Sequence, residues 1–317
     1  MAANAFPIMI DVLIHSPFPR QSSQGNSVTA DRLDAILRKE GFWVLMETEA
    51  YQGADARCLI ALNARKSAQA IADYQDRNQD SRVVVILTGT DINHPDARAM
   101  GSPTWKSLET ADSLVLLHDA SFAAVPKEFH DKCVVIHPSV TLPEGLEHTP
   151  DDQDFAIVIA GNSRVEKNPA LAIHASRMIS EVLNIHVYGD FSEHDPSRLI
   201  KHGIVPHQEM LVAMSRARLL LNTSIQEGGA NAICEAVSMG LPVIASAIPG
   251  NIGILGEDYA GLFPSDNLTA LVQILEKSAK DSAFYGLLKE QVTARTPLFS
   301  YEREAGKWAK LLCVLLK

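Results

Sequence analysis

The sequence predicts an α/β protein made of two doubly wound parallel-sheet domains. Short aliphatic runs recur along the chain, and they are apolar throughout rather than alternating, which is typical of strands covered on both faces. The segments between these runs are long enough for the crossover helices that parallel strands need. The alternation stops at residues 138–154, which are rich in proline and acidic residues, and then restarts. That stretch is predicted to be an interdomain linker.

Six strands are predicted before the linker, at residues 8–14, 42–46, 58–62, 83–87, 114–117 and 133–136. Two helices between them are predicted at residues 28–39 and 64–74, and the first has apolar side chains at helical spacing. After the linker, strands are predicted at residues 155–160, 185–188, 219–222 and 243–246. Helices are predicted at 169–182, 209–217, 230–239 and 301–316. Two such sheets imply a central cleft, with ligands bound by the loops that follow the strands.

Composition narrows the possible functions. The 317 residues include 28 Lys and Arg and 38 Asp and Glu, so the net charge is −10. A protein that binds nucleic acid or anionic membranes needs a basic surface, so both classes are excluded. The four cysteines are scattered, and no apolar run is long enough to span a membrane. With no signal peptide recognised, the chain is expected to be a cytoplasmic enzyme of undetermined oligomeric state.

The most informative segment covers residues 227–240, between a predicted strand and a predicted helix. Gly228 and Gly229 allow a tight turn, and the unpaired amides of the helix start favour a diphosphate. Asn231 adds a donor, while Glu227 and Glu235 lie eight residues apart, about 12 Å along a helix. One carboxylate could therefore serve each end of a nucleotide-sugar. Gly240 is the predicted helix C-cap.

A second loop, at residues 161–169, follows the first strand of the second half. Asn168 is predicted to be an N-cap and Pro169 the first helical residue. Arg164 and Lys167 then precede a helix N-terminus, which is unfavourable unless an anion lies between them. Two further polar features carry less information. His202 and His207 flank a proline and indicate a loop rather than a metal site, and Gly189 with Asp190 indicates a turn, with an approach to the nucleobase edge as the alternative.

These two loops resemble those of the GT-B glycosyltransferases of family 4, which have two Rossmann-like domains. That family usually has Arg directly after Gly161, where this chain has Asn162. Four further segments, at 25–30, 62–67, 87–91 and 248–253, together resemble the selenosugar synthases of selenoneine biosynthesis. Those enzymes tend to have His where this chain has Asn63. The resemblance implies a first domain at 1–140, a second at 152–297 and a C-terminal helix within 298–317 that returns to the first.

The resemblance implies transfer of a sugar, commonly N-acetylglucosamine, from a UDP-sugar to the selenium of selenophosphate. The residues expected to bind the donor are Gly161, Arg164, Lys167, Glu227, Gly228, Gly229, Ala230, Asn231 and Glu235. An anionic acceptor is expected at Gly25, Asn26, Arg65, Lys66, Ser67, Thr88, Gly89 and Thr90, because these residues offer cations, hydroxyls and amides at strand ends. Catalysis is assigned to Glu227, Arg164, Lys167 and Asp91.

Selenophosphate is already an anionic nucleophile, so no general base is needed, and positioning with leaving-group stabilisation is expected to suffice. Cations and helix-end amides already face the diphosphate, so no metal and no cofactor are expected. Two alternatives stay open: a family 4 enzyme with a saccharide or lipid oxygen acceptor, and a nucleotide-sugar isomerase or binding protein on the same fold.

Overall fold

The computed structural model describes residues 10–20, 25–151, 154–191 and 198–317. Residues 8 and 9 of the first predicted strand, and Asp152 and Gln153 of the predicted linker, lie outside this part of the chain. The chain divides into two compact units. The first runs to Pro138 and includes Glu302–Lys317, and the second is Ser139–Tyr301.

The first unit contains a six-stranded parallel sheet in the order β2-β1-β3-β4-β5-β6. Its strands are β1 (Ile10–Ser16), β2 (Val44–Thr48), β3 (Ala56–Leu62), β4 (Arg82–Leu87), β5 (Ser113–Leu116) and β6 (Cys133–Val135). Its first three helices are α1 (Gly25–Lys39), α2 (Ala68–Arg77) and α3 (Pro103–Thr110). The strands are buried on both faces by aliphatic side chains, which is why they are apolar throughout.

The second unit contains another six-stranded parallel sheet, in the order β12-β11-β10-β7-β8-β9. Its strands are β7 (Phe155–Ala160), β8 (Leu183–Tyr188), β9 (Ile200–Gly203), β10 (Leu219–Asn222), β11 (Val243–Ser246) and β12 (Leu262–Phe263). The helices that follow in the chain are α4 (Pro169–Met178), α5 (His207–Arg216), α6 (Asn231–Met239), α7 (Pro249–Leu255), α8 (Leu268–Lys280), α9 (Ser282–Arg295) and α10 (Tyr301–Leu315). The predicted fold class is confirmed, although β9, β12, α3, α7, α8 and α9 are not among the predicted elements.

The helix predicted at residues 64–74 begins later than expected. Residues 64–67 form turns, and α2 begins at Ala68. Asn63 has a positive φ of 70°, and its Oδ1 accepts a hydrogen bond from the Lys66 amide at 2.9 Å. This side-chain bond competes with helical pairing and holds the segment in a turn. Arg65 and Lys66 therefore lie before the helix rather than in its first turn.

The predicted linker is part of the second unit from Ser139 onward. The Val140 amide donates to the Phe299 carbonyl at 3.0 Å, and the Thr149 amide donates to the Ser215 carbonyl at 2.9 Å. Apolar side chains of the stretch, including Val140, pack against the core of this unit. Backbone polar groups near a core need hydrogen-bond partners, and the carbonyl groups of the second unit provide them for this stretch.

The last helix, α10, packs on the first unit. Trp308 and Leu312 are buried in the same core cluster as β1 and β3 residues. Glu304, also buried, pairs with Arg32 of α1 at 3.2 Å. Within the described ranges, no helix has the length and apolar character required to cross a membrane.

Each sheet has one topological switch point. In the first sheet, β1 lies between β2 and β3, and in the second, β7 lies between β10 and β8. Ligands of doubly wound proteins bind beyond the carboxyl ends of the strands at such points. The loops that follow β1 and β3, and those that follow β7 and β10, are therefore the places to examine for chemistry.

Candidate active site

The loops after β7 and β10 are tied together in the second unit. The Thr223 hydroxyl donates to the Lys167 carbonyl at 2.9 Å, and the Ile225 amide donates to the Glu166 carbonyl at 2.8 Å. Both loops were selected from sequence as donor-binding segments, and the structure brings them into contact at the switch point of the sheet.

The glycine pair at the ends of β7 and β8 sets how closely these strands approach. Gly189 has a φ of 146°, and a Cβ there would overlap the backbone of Gly161. The Asp190 amide donates to Asn162 Oδ1 at 2.9 Å, and the Ser163 amide donates to the Asp190 carbonyl at 2.7 Å. The prediction that Gly189 and Asp190 form only a turn is therefore wrong, because they hold the donor loop. Asn162, where family 4 usually has Arg, takes part in this contact.

Lys167 and Glu227 form an ion pair. The same carboxylate oxygen, Glu227 Oε1, accepts from the Ser224 hydroxyl at 2.7 Å and from Asn222 Nδ2 at 3.4 Å. From the sequence, Lys167 was assigned to a diphosphate and Glu227 to a sugar. The structure joins the two charges, so an anion at this point would share Lys167 with the carboxylate. Arg164 is exposed on the same loop and makes no ion pair within the part of the chain that the structure describes.

A buried polar network behind Glu227 was missed by sequence reasoning. Asn251, at the start of α7, is fully buried, and its Nδ2 lies 3.2 Å from Asn222 Oδ1 and 3.0 Å from the Ser246 carbonyl. The neighbouring Gly250 has no room for a Cβ, which would overlap the carbonyl oxygen of Glu227. The signal in the sequence was the segment at 248–253, which was noted for its resemblance and given no role.

Glu235 lies on α6 and pairs with His207, the first residue of α5. His207 Nε2 is 2.8 Å from Glu235 Oε1, and the Glu235 side chain is only 9% exposed. The hydrogen bond to Glu235 raises the pKa of His207. The other oxygen, Oε2, is buried and has no hydrogen-bond partner among the described residues. The interpretation of His207 as a simple loop residue is therefore wrong.

The start of α6 carries the remaining predicted donor residues. Asn231 is its first residue, and Ala230 occupies the N-cap position without a side-chain cap. Residues 227–230 precede the helix, so the separation of Glu227 and Glu235 does not follow from helical rise alone. Gly228 and Gly229 are half-buried beside this helix start. Gly240 adopts a left-handed conformation with φ 76° and ends α6, as predicted.

Asn168 differs from its predicted role. It occupies the N-cap position of α4, and Pro169 is the first helical residue as predicted. However, Asn168 has a φ of 46° and makes no side-chain cap. Its Nδ2 donates instead to Asp266 Oδ1 at 3.1 Å. A left-handed residue directs its side chain away from the first helical amides, which explains the missing cap.

In the first unit, Asn63 joins the loops after β3 and β4. Its Nδ2 donates to Thr88 Oγ1 at 2.8 Å and to Thr90 Oγ1 at 2.9 Å. Both hydroxyls accept from Asn63, so each keeps its own hydrogen to donate. The Gly89 backbone between them has a φ of 95°. The Asn63 side chain therefore connects two predicted acceptor loops by hydrogen bonds.

Asp91 is fully buried, and its oxygens accept hydrogen bonds from backbone amides. The donors are Ala64 at 2.8 Å, Ile92 at 3.0 Å and Thr88 at 3.1 Å. Burial raises the pKa of this carboxyl, and the backbone hydrogen bonds oppose that shift. These contacts give Asp91 a role in holding the loop after β4, and its catalytic assignment stays a prediction.

Ser67 is also enclosed. Its hydroxyl donates to the Leu62 carbonyl at 2.6 Å and accepts from His15 Nδ1, which is 3.1 Å away. Both residues are almost completely buried. The hydrogen of the Ser67 hydroxyl is thus engaged by the protein itself, and its contact with an acceptor stays a prediction. Burial lowers the pKa of His15 to about 4, so its imidazole is neutral at pH 7.

The remaining acceptor candidates are more exposed. Arg65 Nε lies 3.8 Å from Asp96 Oδ1, and Lys66 Nζ lies 4.4 Å from the centroid of the Phe18 ring. Gly25 and Asn26 are the first two residues of α1, after β1. Arg65 and Lys66 thus have different neighbours and do not form a single paired cation site.

Comparison with known proteins agrees with this architecture. Residues 154–281 match the family model described as glycosyl transferases group 1. The glycosyltransferase 1 domain-containing protein 1 of Xenopus tropicalis is 33% identical over 280 residues, which cover 75% of this chain and 79% of that protein.

Solved structures share the fold at low sequence identity. HepE of Anabaena, solved with UDP and glucose, has a TM-score of 0.75 at 15% identity and covers 96% of this chain and 100% of that one. Sucrose-phosphate synthase of Thermosynechococcus elongatus has a TM-score of 0.78 at 16% identity, covering 96% and 99% of the two chains.

The two parallel six-stranded sheets, with their polar loops beyond the strand ends, have the GT-B fold of these solved structures. Within that class, the chain belongs to the glycosyltransferase group 1 family.

Proposed function

We propose that this enzyme transfers a sugar from a UDP-sugar and that the loops after β7 and β10 bind the nucleotide. The observation that carries the proposal is Glu235. Its Oε2 is a buried carboxylate oxygen without a partner among the described residues, on the helix whose uncapped start follows the Gly-rich turn. A ribose hydroxyl would satisfy that oxygen, and the helix amides would bind the diphosphate. HepE, which shares the fold, was solved with UDP and glucose, and this supports the same donor class.

The proposed sugar is N-acetylglucosamine and the proposed acceptor is selenophosphate. The support is the resemblance of the four segments at 25–30, 62–67, 87–91 and 248–253 to selenosugar synthases. Two of these segments, which contain Asn63 and Thr88, are joined by a side-chain hydrogen bond in the first unit. Lys66 and Arg65 add positive charge beside them, which suits a small anion.

The chemistry requires little from the protein. The selenium lone pair forms the bond to the anomeric carbon as the bond from that carbon to the diphosphate breaks. A selenophosphate anion carries no proton that must leave, so a general base is unnecessary. Arg164, Lys167 and the amides at the start of α6 would stabilise the departing UDP. Glu227, held by Lys167 and Ser224, would contact the sugar.

Incubation of the purified protein with UDP-N-acetylglucosamine and selenophosphate, followed by mass spectrometry, tests this proposal. The first expected product is the sugar joined through selenium to phosphate, with UDP released in equal amount. Hydrolysis of its Se–P bond by water then gives the 1-seleno sugar and phosphate. Glu227→Gln should abolish most of the turnover, whereas Glu257→Gln, at an exposed position, should not. If the sugar is transferred only to a saccharide or lipid hydroxyl, the proposed selenophosphate acceptor is wrong and the enzyme uses an oxygen acceptor. An altered nucleotide-sugar without any acceptor would indicate an isomerase.

The reaction is also expected to need no metal. The chain has one Asp-x-Asp triplet, formed by Asp152 and Asp154. Asp152 lies outside the described residues, and Asp154 precedes β7 at the amino end of the sheet, away from the strand ends that carry the donor loops. Activity should therefore survive EDTA. Loss of activity with EDTA and recovery with Mg²⁺ or Mn²⁺ would refute this expectation.

A further inference from the structure

We propose that His207 is a positioning residue for the donor: its imidazole holds one oxygen of Glu235 and leaves the other for the ribose, so donor binding depends on pH. This inference rests on the proposed function and concerns the same nucleotide site.

The geometry of the pair supports this role. Glu235 Oε1 lies 2.8 Å from His207 Nε2, and the side chains are 9% and 58% exposed, respectively. A carboxylate carries no proton, so the hydrogen belongs to the imidazole nitrogen. The bond therefore exists whether His207 is neutral or charged, and protonation of Nδ1 converts it into an ion pair.

The second oxygen of Glu235 is the one that would bind the donor. Glu235 Oε2 is buried and has no partner in the described part of the chain. An unpartnered buried carboxylate oxygen is costly, and a ligand hydroxyl that donates to it removes that cost. Because Oε1 is held by His207, the carboxylate cannot rotate freely, and Oε2 keeps one orientation. A preorganised acceptor of this kind fits one hydroxyl of a vicinal diol.

Glu235 is the charged group among the described residues that raises the pKa of His207, chiefly through their hydrogen bond. His207 lies on α5, which packs against β7 and α6; β7 has no charged side chain, and Glu235 is the charged residue on α6. The elements packed against α6 include α5, α7, α9, β10, β11 and the uncharged turn of 3-10 helix at 296–299. Of these, α7, β10 and β11 have no charged side chains. The charged residues on α5 and α9 are Glu209, Arg216, Lys289, Glu290 and Arg295.

The sign of the pH dependence follows. Below its raised pKa, His207 is an imidazolium that pairs with Glu235 and adds positive charge near an anionic donor. As the pH rises through that pKa, the charge is lost while the neutral hydrogen bond remains. Donor affinity should therefore be highest at acidic pH and fall as the pH rises.

The test is calorimetric titration of the full chain with UDP-N-acetylglucosamine, without acceptor, between pH 5.5 and 8.5. We expect the dissociation constant of the wild type to rise roughly 3- to 10-fold across this range, the difference between a charged and a neutral hydrogen bond. His207→Gln keeps a donor without a titrating charge and should give a flat profile. Glu235→Ala should bind more weakly, and its pH dependence should move to lower pH, because the pKa of His207 is no longer raised by Glu235.

His174→Gln, at an exposed position on α4, is the matched control and should keep the wild-type profile. Thermal unfolding checks that every variant is folded. If His207→Gln keeps the pH profile of the wild type, the positioning role is refuted while the proposed donor site stands. If the wild type does not bind the UDP-sugar at any pH, the proposed function fails, and this inference with it.

Discussion

The carboxylates of Asp91, Glu227 and Glu235 differ in what their oxygens contact. The oxygens of Asp91 accept hydrogen bonds from backbone amides, and these bonds hold the loop after β4 in place. One oxygen of Glu227 is shared by Lys167 and Ser224. Glu235 binds His207 through one oxygen and keeps the other unpartnered among the described residues. Because a buried oxygen without a partner gains most from a ligand hydroxyl, Glu235 is the strongest candidate of the three for a contact with substrate.

Arg65 and Lys66 are expected to contribute to acceptor binding. Arg65→Ala should raise the KM for selenophosphate, and Lys66→Ala should do so more mildly, with little effect on UDP-sugar binding. One lost anion contact of about 1.5–3 kcal/mol corresponds to roughly a 10- to 150-fold loss in kcat/KM. Steady-state kinetics with each substrate varied separately would measure this.

Arg77→Ala is a suitable control for that series. Arg77 is exposed on α2 and paired with Asp55 at 2.8 Å, so its loss should leave selenophosphate kinetics unchanged. If Arg65→Ala and Lys66→Ala also behave as the wild type, the acceptor is not held by this pair. The loops with Thr88 and with Gly25 would then be examined next.

His15 should make the stability of the protein depend on pH. Its pKa is about 4 in the folded protein because of burial, against an ordinary value of 6.5. Protonation therefore favours the unfolded state, and the stability present at pH 7 is lost as the pH falls below 6.5. The expected loss from this residue is about 2 kcal/mol between pH 7 and pH 5. Urea unfolding of wild type and His15→Gln at both pH values would measure it.

The His15→Gln variant separates this residue from the other ionisable groups, which both proteins share. The difference in free energy of unfolding between wild type and variant should change by that amount between the two pH values. A difference that stays constant from pH 7 to pH 5 would show that His15 titrates normally in the folded protein.

At the scale of elements, the site depends on how α7 approaches the loop after β10. Gly250 is the second residue of α7, and Asn251 follows it into the buried network with Asn222. The backbone of Glu227 lies directly against Gly250. The position of the Glu227 carboxylate is therefore set partly by a helix more than twenty residues further along the chain.

Gly250→Ala should displace the Glu227 backbone and lower kcat/KM for the transfer reaction. Backbone atoms cannot yield as a flexible side chain can, so we expect at least a roughly 10-fold loss, from a misplacement on the order of 1 Å. Gly286→Ala is the control. Gly286 lies in α9 with open space where a Cβ would be placed, so the alanine should stabilise by up to about 1 kcal/mol. Equal kinetics for both variants and the wild type would contradict this account of α7.

At the scale of the whole molecule, the chain crosses from the first unit to the second at Pro138 and returns with α10. Leu312 of α10 is fully buried in the core of the first unit, together with Trp308. The final helix therefore contributes apolar surface that covers part of the first sheet. Removing that surface should weaken the first unit specifically.

Leu312→Ala should destabilise the first unit by about 2–5 kcal/mol, the cost of a large-to-small change in a core. Val314→Ala, on the same helix with its side chain exposed, should be almost neutral. Hydrogen exchange measured by mass spectrometry would show the loss of protection in β1 and β3. If β10 in the second unit lost protection equally, the effect of α10 would not be confined to the first unit.

The sequence by itself determined the two-sheet α/β class, most strand positions and the loops that follow β7 and β10. These are local properties, because hydrophobic periodicity and glycine or proline chemistry are set within about 15 neighbouring residues. It also indicated Glu227, Lys167 and Glu235 as chemically important, because charged residues beside a Gly-rich helix start have a limited range of uses.

Only the tertiary structure decided the partners of those residues. Lys167 meets Glu227 across 60 positions, His207 meets Glu235 across 28, and Asn63 meets Thr88 across 25. Such pairs form because the sheet order places segments that are distant in the chain beside each other, and Lys167 and Glu227 meet at the switch point between β7 and β10. A helix or turn is specified by its own residues, whereas the partner of a buried charge is specified by which strand ends the fold brings together.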